Sequence, residues 1–408
     1  MKILFFGLPF SLGHTYPTLH LVHKLVSKGV EVLYFSTNDL KEIIESTGAI
    51  FVEYDIAKLQ KKLNNYSVKK NGMRLLTSDY FNKQEKWIKL NLIALEVMKK
   101  SIEKYKPDGI IYDEKGSIAA EMIEEQLSIP MICSITKFAF NDDVFAKYSN
   151  VFYSKIIQLD TNQYEQEKDI FFNYINSHMF EMKKEKHEYL LSGYGKKNVI
   201  YTSKFFQVEG NSFGTSYMFA QPSIRVATTA TFLANDKVIY ISLGTVNNDN
   251  HYFFQKCIQV LSNTEYKVVI SVRSQTEVNK FGELPNNIRI YNTVDQIGVL
   301  QNAILFITHG GMNSVTEAIM NRVPMIIFPQ EGDQFITAKR LEELGAGIVL
   351  EESNIYKELI KTITYIIADT SFIENIKVIR KSFVETEDAN SISLKIINYF
   401  NSKRREII

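Results

Sequence analysis

Short, uninterrupted apolar runs, each followed by an amphipathic helical pattern, recur along almost the whole of this chain. KILFFG (2–7) leads into a helical stretch from Thr15 to Lys28 closed by Gly29, and VEVLYFS (30–36) into one running through Glu45 and stopping near Gly48. IFVEYD (50–55), GIIYD (109–113) and PMICSI (130–135) repeat the theme, with a helical pattern from Ile118 to Gln126 between the last two. A strand that is apolar at every position must be covered on both faces, and the intervening helices supply the cover, so the pattern predicts parallel α/β sheets. The alternation resumes after residue 236 with VIYISLG, a helix near Phe253 to Leu261, KVVISV, IRIY, ILFIT, MIIFP and GIVL. At 408 residues the chain is too long for one core. It therefore reads as two halves, 1–220 and 221–387, joined around residues 220–236. In the first half Thr77 to Tyr105 forms one long helical pattern, with Phe81, Ile88, Leu92, Leu95 and Ile102 on one side. Residues 141–197 are aromatic, charged and helical, and NVIYTS (198–203) is the next strand.

Charge excludes some functions. Lys and Arg nearly balance Asp and Glu, for a net charge of +1, so nothing favours nucleic acid as a partner. Lys403, Arg404 and Arg405 read as a solvated basic end. Cys133 and Cys257 stand far apart in apolar contexts, which suits a reducing, cytoplasmic setting. MKILFFGLPF is expected to be a first strand entering a loop rather than a leader, because Pro9 interrupts a short apolar run. No run approaches the ~18 apolar residues of a spanning helix, so no stable membrane insertion is expected.

The chemistry concentrates in FITHGGMNSVTEA, Phe306 to Ala318. A strand ends in His309, and Gly310 and Gly311 let the backbone approach a ligand. The helix that follows offers unpaired N–H groups and a positive dipole end, a site for a phosphate, to which His309 adds a further donor. Ser314 and Glu317 also satisfy the capping-box pattern and could simply start a helix. His309, Gly310, Gly311 and Asn313 add nothing to a cap, however, and a carboxylate one turn into such a helix can accept from a ribose diol. SLGT (242–245), with Gly244 and Thr245, is a second phosphate-like loop, and PQEGDQ brings Asp333 and Gln334 to a third. There is no G-x-G-x-x-G, no G-x-x-x-x-G-K-[ST] and no H-E-x-x-H. Without a D-x-D pair, a bound diphosphate has to be neutralised by dipole, amides and imidazole, and no metal or cofactor is expected.

HGGMNSVTEA, followed by VPMIIFPQEGDQ and GAGI, resembles the donor-binding signature of the UDP-glycosyltransferases (glycosyltransferase family 1), in the bacterial macrolide-glycosyltransferase-like branch. GLPFSLGHTYPTL, PDGIIYDEKG, VIYTSKFFQ, VIYISLGT and LPNNIRIYNTVDQIGVL extend the resemblance over most of the chain. It implies a GT-B fold: two facing Rossmann-like domains with parallel sheets, the first binding acceptor and the second nucleotide sugar. A last helix, about 388–408, would return to the first domain. By the same resemblance His309, Asn313, Ser314 and Thr245, with the loop glycines Gly244 and Gly311, would contact the diphosphate, and Glu317 the ribose hydroxyls. Asp333 and Gln334 would hold the sugar, and Gln296 with the backbone of Val294 would address base and ribose. Two motifs depart from the family pattern. Thr293-Val294-Asp295-Gln296 replaces aromatic-x-Pro-Gln, and Thr293 cannot stack on uracil, which leaves Tyr291 as the candidate substitute in that role. Gly13-His14-Thr15-Tyr16-Pro17 keeps the histidine of G-H-x-N-P without its asparagine.

A lone His14 at a helix start can be a cap or a solvent-facing residue. A His and an Asp at strand ends of one sheet can instead form a base with an orienting carboxylate. In the resembled family the positions of His14 and Asp113 are the base and its partner. Trp87, Phe138 and Phe140 are candidates to line an aromatic acceptor cleft, or else are ordinary core. The expected activity is inverting, metal-independent transfer of a hexose, glucose from UDP-glucose foremost, to a hydroxyl of a lipophilic small molecule such as a macrolide, polyketide or phenolic. A nucleotide-sugar epimerase and a non-catalytic nucleotide-sugar-binding homologue are the rivals.

Overall fold

The computed structural model describes residues 1–54, 78–178, 195–227, 237–244, 250–272, 278–351 and 355–407. The chain divides into two compact units, one formed by Met1–Ser223 with Thr386–Ile408 and the other by Ile224–Glu385.

The first unit holds a parallel sheet of seven strands: β1 (Lys2–Phe6), β2 (Glu31–Ser36), β3 (Ile50–Glu53), β4 (Gly109–Asp113), β5 (Met131–Ile135), β6 (Asn198–Ile200) and β7 (Tyr217–Phe219), in the order β3-β2-β1-β4-β5-β6-β7. The second holds six: β8 (Val238–Ser242), β9 (Lys267–Ser271), β10 (Ile288–Tyr291), β11 (Ala303–Thr308), β12 (Met325–Ile327) and β13 (Gly347–Val349), in the order β10-β9-β8-β11-β12-β13. Each order reverses once, between β1 and β4 in the first sheet and between β8 and β11 in the second. Ligands of doubly wound sheets sit outside the carboxyl ends of the strands at such a reversal. The loops that leave these four strands are therefore the ones to inspect.

The apolar runs are buried as their continuity demands: β4 and β5 are buried at every position, and so is β8. The final helix, Ala389–Ile407, belongs to the first unit. Its Ile392, Ile396 and Phe400 are fully buried in one core with Leu21, Val22 and Leu25 of the helix Leu12–Ser27. Gly109 at the start of β4 makes room for it, since a Cβ there would lie 2.6 Å from the Phe400 ring.

Three local features differ from the sequence reading. The first helix begins at Leu12 rather than Thr15, because the Ser11 hydroxyl caps it by accepting the His14 backbone N–H at 3.3 Å. His14 thus lies in the first helical turn, not in a loop. β7 was not foreseen; three residues at a sheet edge carry too short a pattern to read. Phe138 and Phe140 lie in an aromatic core after β5, 1% and 5% exposed, packed on Phe206 and Phe152 with ring centroids 5.3 and 5.5 Å apart.

Candidate active site

Asp113 ends β4 and His14 stands in the first turn of the helix after β1, so the strand reversal brings them together across 99 positions of sequence. His14 Nδ1 lies 2.7 Å from Asp113 Oδ2, while Asp113 Oδ1 accepts the Lys115 backbone N–H at 2.9 Å. The histidine side chain is 21% exposed and the carboxylate 7%. Burial alone would lower the His14 pKa, but the charge and hydrogen bond of Asp113, helped by Glu114, outweigh it and raise the value above 6.5. With Nδ1 held by Asp113, Nε2 is the atom left for a substrate. Glu114, which the sequence reading did not single out, is a second buried carboxyl 3.4 Å from Lys137 Nζ. Desolvation raises its pKa despite that lysine.

Beside the dyad lies a cavity of about 440 Å³ whose walls include Asp113, the loop Gly7–Phe10 and the long helix Asp79–Tyr105. Trp87 on that helix lines it, with Lys115 Nζ 4.9 Å from its ring centroid. Phe6, Tyr54, Leu90, Val97, Met98 and Tyr112 make the remaining wall mostly apolar. Asn91 ties helix to loop by donating to the Lys115 carbonyl at 2.7 Å and accepting the Ala119 N–H at 3.2 Å. Phe138 and Phe140 do not line this cavity.

In the second unit the loops after β8 and β11 meet around His309. Gly244 and Gly310 adopt φ of +83° and +87°, conformations that favour glycine. A Cβ on Gly244 would come 2.4 Å from His309 Cε1, and one on Gly311 2.5 Å from Nε2, so the imidazole sits between two glycine backbones. Burial pushes the His309 pKa down to about 4 against a smaller upward pull from Asp333, which leaves the ring neutral near pH 7. Gly311 is the N-cap of the helix Met312–Met320 and offers no side chain to it. The Ser-x-x-Glu pattern is therefore not the cap here: Ser314 and Glu317 lie inside the helix. Asn313 is half-buried in its first turn.

Glu317 is buried and its carboxylate is shared. Arg225 donates to it through Nε at 2.6 Å and Nη2 at 2.7 Å, and Gln296 Nε2 donates at 2.6 Å. The same Gln296 amide lies 3.3 Å from Ser314 Oγ, and its oxygen accepts from Tyr240 at 3.1 Å. Asp295, which stands in place of the family's proline, caps the helix Gln296–Leu300 by accepting the Gly298 N–H at 3.2 Å; Val294 is half-buried just before it. Asp333 and Gln334 open the helix Asp333–Glu343, but Gln334 Oε1 turns back to accept the backbone N–H groups of Gln330 and Glu331 at 2.9 and 3.3 Å. Thr245 lies outside the described residues. Arg225 and Tyr240 escaped the sequence reading: Arg225 lies in no motif and 92 positions from Glu317, and Tyr240, within VIYISLGT, reads as one more apolar strand position 56 residues from Gln296.

Residues 255–397 match the model of the erythromycin biosynthesis protein CIII-like C-terminal domain. The chain is 29% identical over 405 residues to the uncharacterized UDP-glucosyltransferase YdhE of Bacillus subtilis (strain 168), covering 96% of this chain and 97% of that protein. Over nearly its whole length this chain is thus similar to UDP-glycosyltransferases, and over residues 255–397 to the erythromycin-type domain. It is 28% identical to the NDP-glycosyltransferase YjiC of the same organism, over 94% of each chain. A glycosyltransferase of kitacinnamycin superposes with a TM-score of 0.77 at 20% identity, over 98% of each chain, and so shares the GT-B fold. Among the described residues, no helix is long and apolar enough to cross a membrane.

Proposed function

We propose that this glycosyltransferase moves a hexose, foremost glucose from UDP-glucose, to a hydroxyl of a lipophilic small molecule, with inversion at the anomeric carbon. The observation that carries this reading is the 2.7 Å His14–Asp113 pair beside an apolar, aromatic-lined cavity. An alcohol is a weak nucleophile at neutral pH, and a positioned base near its own pKa contributes roughly 10²–10⁴-fold. His14 Nε2 takes the acceptor proton as the oxygen attacks the anomeric carbon from the face opposite the diphosphate. Asp113 fixes the tautomer and stabilises the imidazolium that forms. Asp113 already accepts from both His14 and the Lys115 amide, so it serves as an orienting group rather than a nucleophile. A single displacement inverts the centre.

The leaving diphosphate is held at the start of the helix Met312–Met320. There the dipole, the loop amides at Gly244 and Gly311, and the neutral His309 act together with Asn313, Ser314 and Thr245. Glu317 accepts from the ribose, Gln296 and the Val294 backbone address ribose and base, and Asp333 with Gln334 meets the sugar. For Gln334 this requires releasing the two loop amides it now accepts from. No cofactor takes part; the nucleotide sugar is a co-substrate. A lipophilic acceptor suits the walls of the first unit's cavity, since most affinity for such ligands comes from buried apolar area. The names of YdhE and YjiC support a nucleoside-diphosphate sugar as donor, and the second leaves the base open.

The test is an assay of UDP- and dTDP-sugars against phenolic and macrolide acceptors, read by mass spectrometry for a hexose gain. Transfer is expected to persist in EDTA; loss that Mg²⁺ restores would overturn leaving-group stabilisation by dipole and imidazole. Trp87→Ala is expected to change acceptor preference with donor KM unchanged. An unaltered preference in the folded variant would remove Trp87 from the acceptor site.

A further inference from the structure

The geometry points to Arg225 as a positioning residue for the donor: it holds the Glu317 carboxylate aimed so that it can accept from the nucleotide's ribose. This rests on the nucleotide site proposed above and adds to it a residue outside every motif of the chain.

The Glu317 side chain is only 5% exposed. A carboxylate that far from water is stable as an anion only when paired and hydrogen-bonded. Arg225 supplies both requirements. Its Nε and Nη2 meet the two carboxylate oxygens at 2.6 and 2.7 Å, the parallel fork that a guanidinium makes and an ammonium cannot. Gln296 Nε2 is the third donor, at 2.6 Å, and Tyr240 fixes which way that amide faces by donating to its oxygen. An ionised carboxylate has about four acceptor positions. Arg225 and Gln296 fill both sites on Oε2 and one on Oε1, so a single position on Oε1 remains for a ribose hydroxyl.

The fork also fixes the plane of the carboxylate, and so the direction in which that last position points. Without Arg225 nothing but the Gln296 amide would hold the carboxylate, and the group would be free to turn. Arg225 follows β7, at the beginning of the second unit, and lies 92 positions from Glu317. A tether for residues 224–227 is the purely structural alternative. It would cost stability without selecting between donor and acceptor.

The experiment titrates UDP and dTDP by calorimetry into wild type, Arg225→Ala, Arg225→Lys, Glu317→Gln and the Arg225→Ala/Glu317→Gln double variant, and measures KM for both substrates. Arg225→Ala is expected to weaken nucleotide binding roughly 10–100-fold, the loss of a charge-assisted fork. Donor KM should rise in step while acceptor KM stays put, and Arg225→Lys should recover part of the affinity. In the Glu317→Gln background the added loss should be small, because the arginine acts through that carboxylate. Unchanged nucleotide affinity in folded Arg225→Ala or Arg225→Lys, with Glu317→Gln weakened, would overturn the inference alone. Equal losses in both backgrounds would overturn action through Glu317. Wild type that binds neither nucleotide would instead remove the proposed nucleotide site, and the inference with it.

Discussion

His14→Ala should lose roughly 10²–10⁴-fold in turnover of an aliphatic alcohol, the contribution of a positioned general base. It should still bind UDP, because every residue proposed to hold the donor lies in the second unit and His14 in the first. A phenol, partly ionised at high pH, should be turned over by the variant better than an aliphatic alcohol. The pH profile carries the same signature. Asp113 holds the His14 pKa above its ordinary value, so wild-type kcat/KM should fall as pH drops through that raised value and the base becomes protonated. In Asp113→Asn the larger of the two raising charges is gone while burial still lowers the pKa, so the inflection should move to lower pH even as the rate falls. Near-wild-type turnover of an aliphatic acceptor by His14→Ala would move the role of base elsewhere.

The second large effect is on stability. Phe400 is fully buried in the core of the first unit, its ring against Gly109. Phe400→Ala should cost about 3–5 kcal/mol through lost burial and the cavity left behind. For a unit of this size that lowers the melting temperature by on the order of 10 °C. Leu394 sits on the same helix but is 46% exposed, so Leu394→Ala should stay within about 0.5 kcal/mol. Similar melting curves for the two variants would mean that the final helix does not anchor on the first unit.

The two sheets were readable because each central strand is apolar at consecutive positions and each is followed by a helix, a signal that needs no long-range information. The His309-Gly310-Gly311 turn was readable for the same reason, being contiguous, whereas the approach of Gly244 to the same imidazole was not. What escaped depends on distance in sequence or on competing local bonds. The Arg225–Glu317 fork spans 92 positions and belongs to no pattern. Phe138 and Phe140 carry the same aromatic signal as Trp87, and only the packing on Phe206 and Phe152 separates core from cavity wall. Gln334 turns toward its own loop because two backbone N–H groups of that turn lie within its reach. The early start of the first helix came from a single serine cap, below the resolution of an apolar pattern.

Direct displacement at the His14–Asp113 pair is tested most directly by the anomeric configuration of the product. UDP-α-D-glucose and a lipophilic acceptor would be converted by the wild-type enzyme, and the purified glycoside read by proton NMR at its anomeric hydrogen. A single attack opposite the diphosphate gives the β-glucoside. An α-glucoside would contradict single displacement and require either a covalent intermediate on the protein or attack from the side of the leaving group.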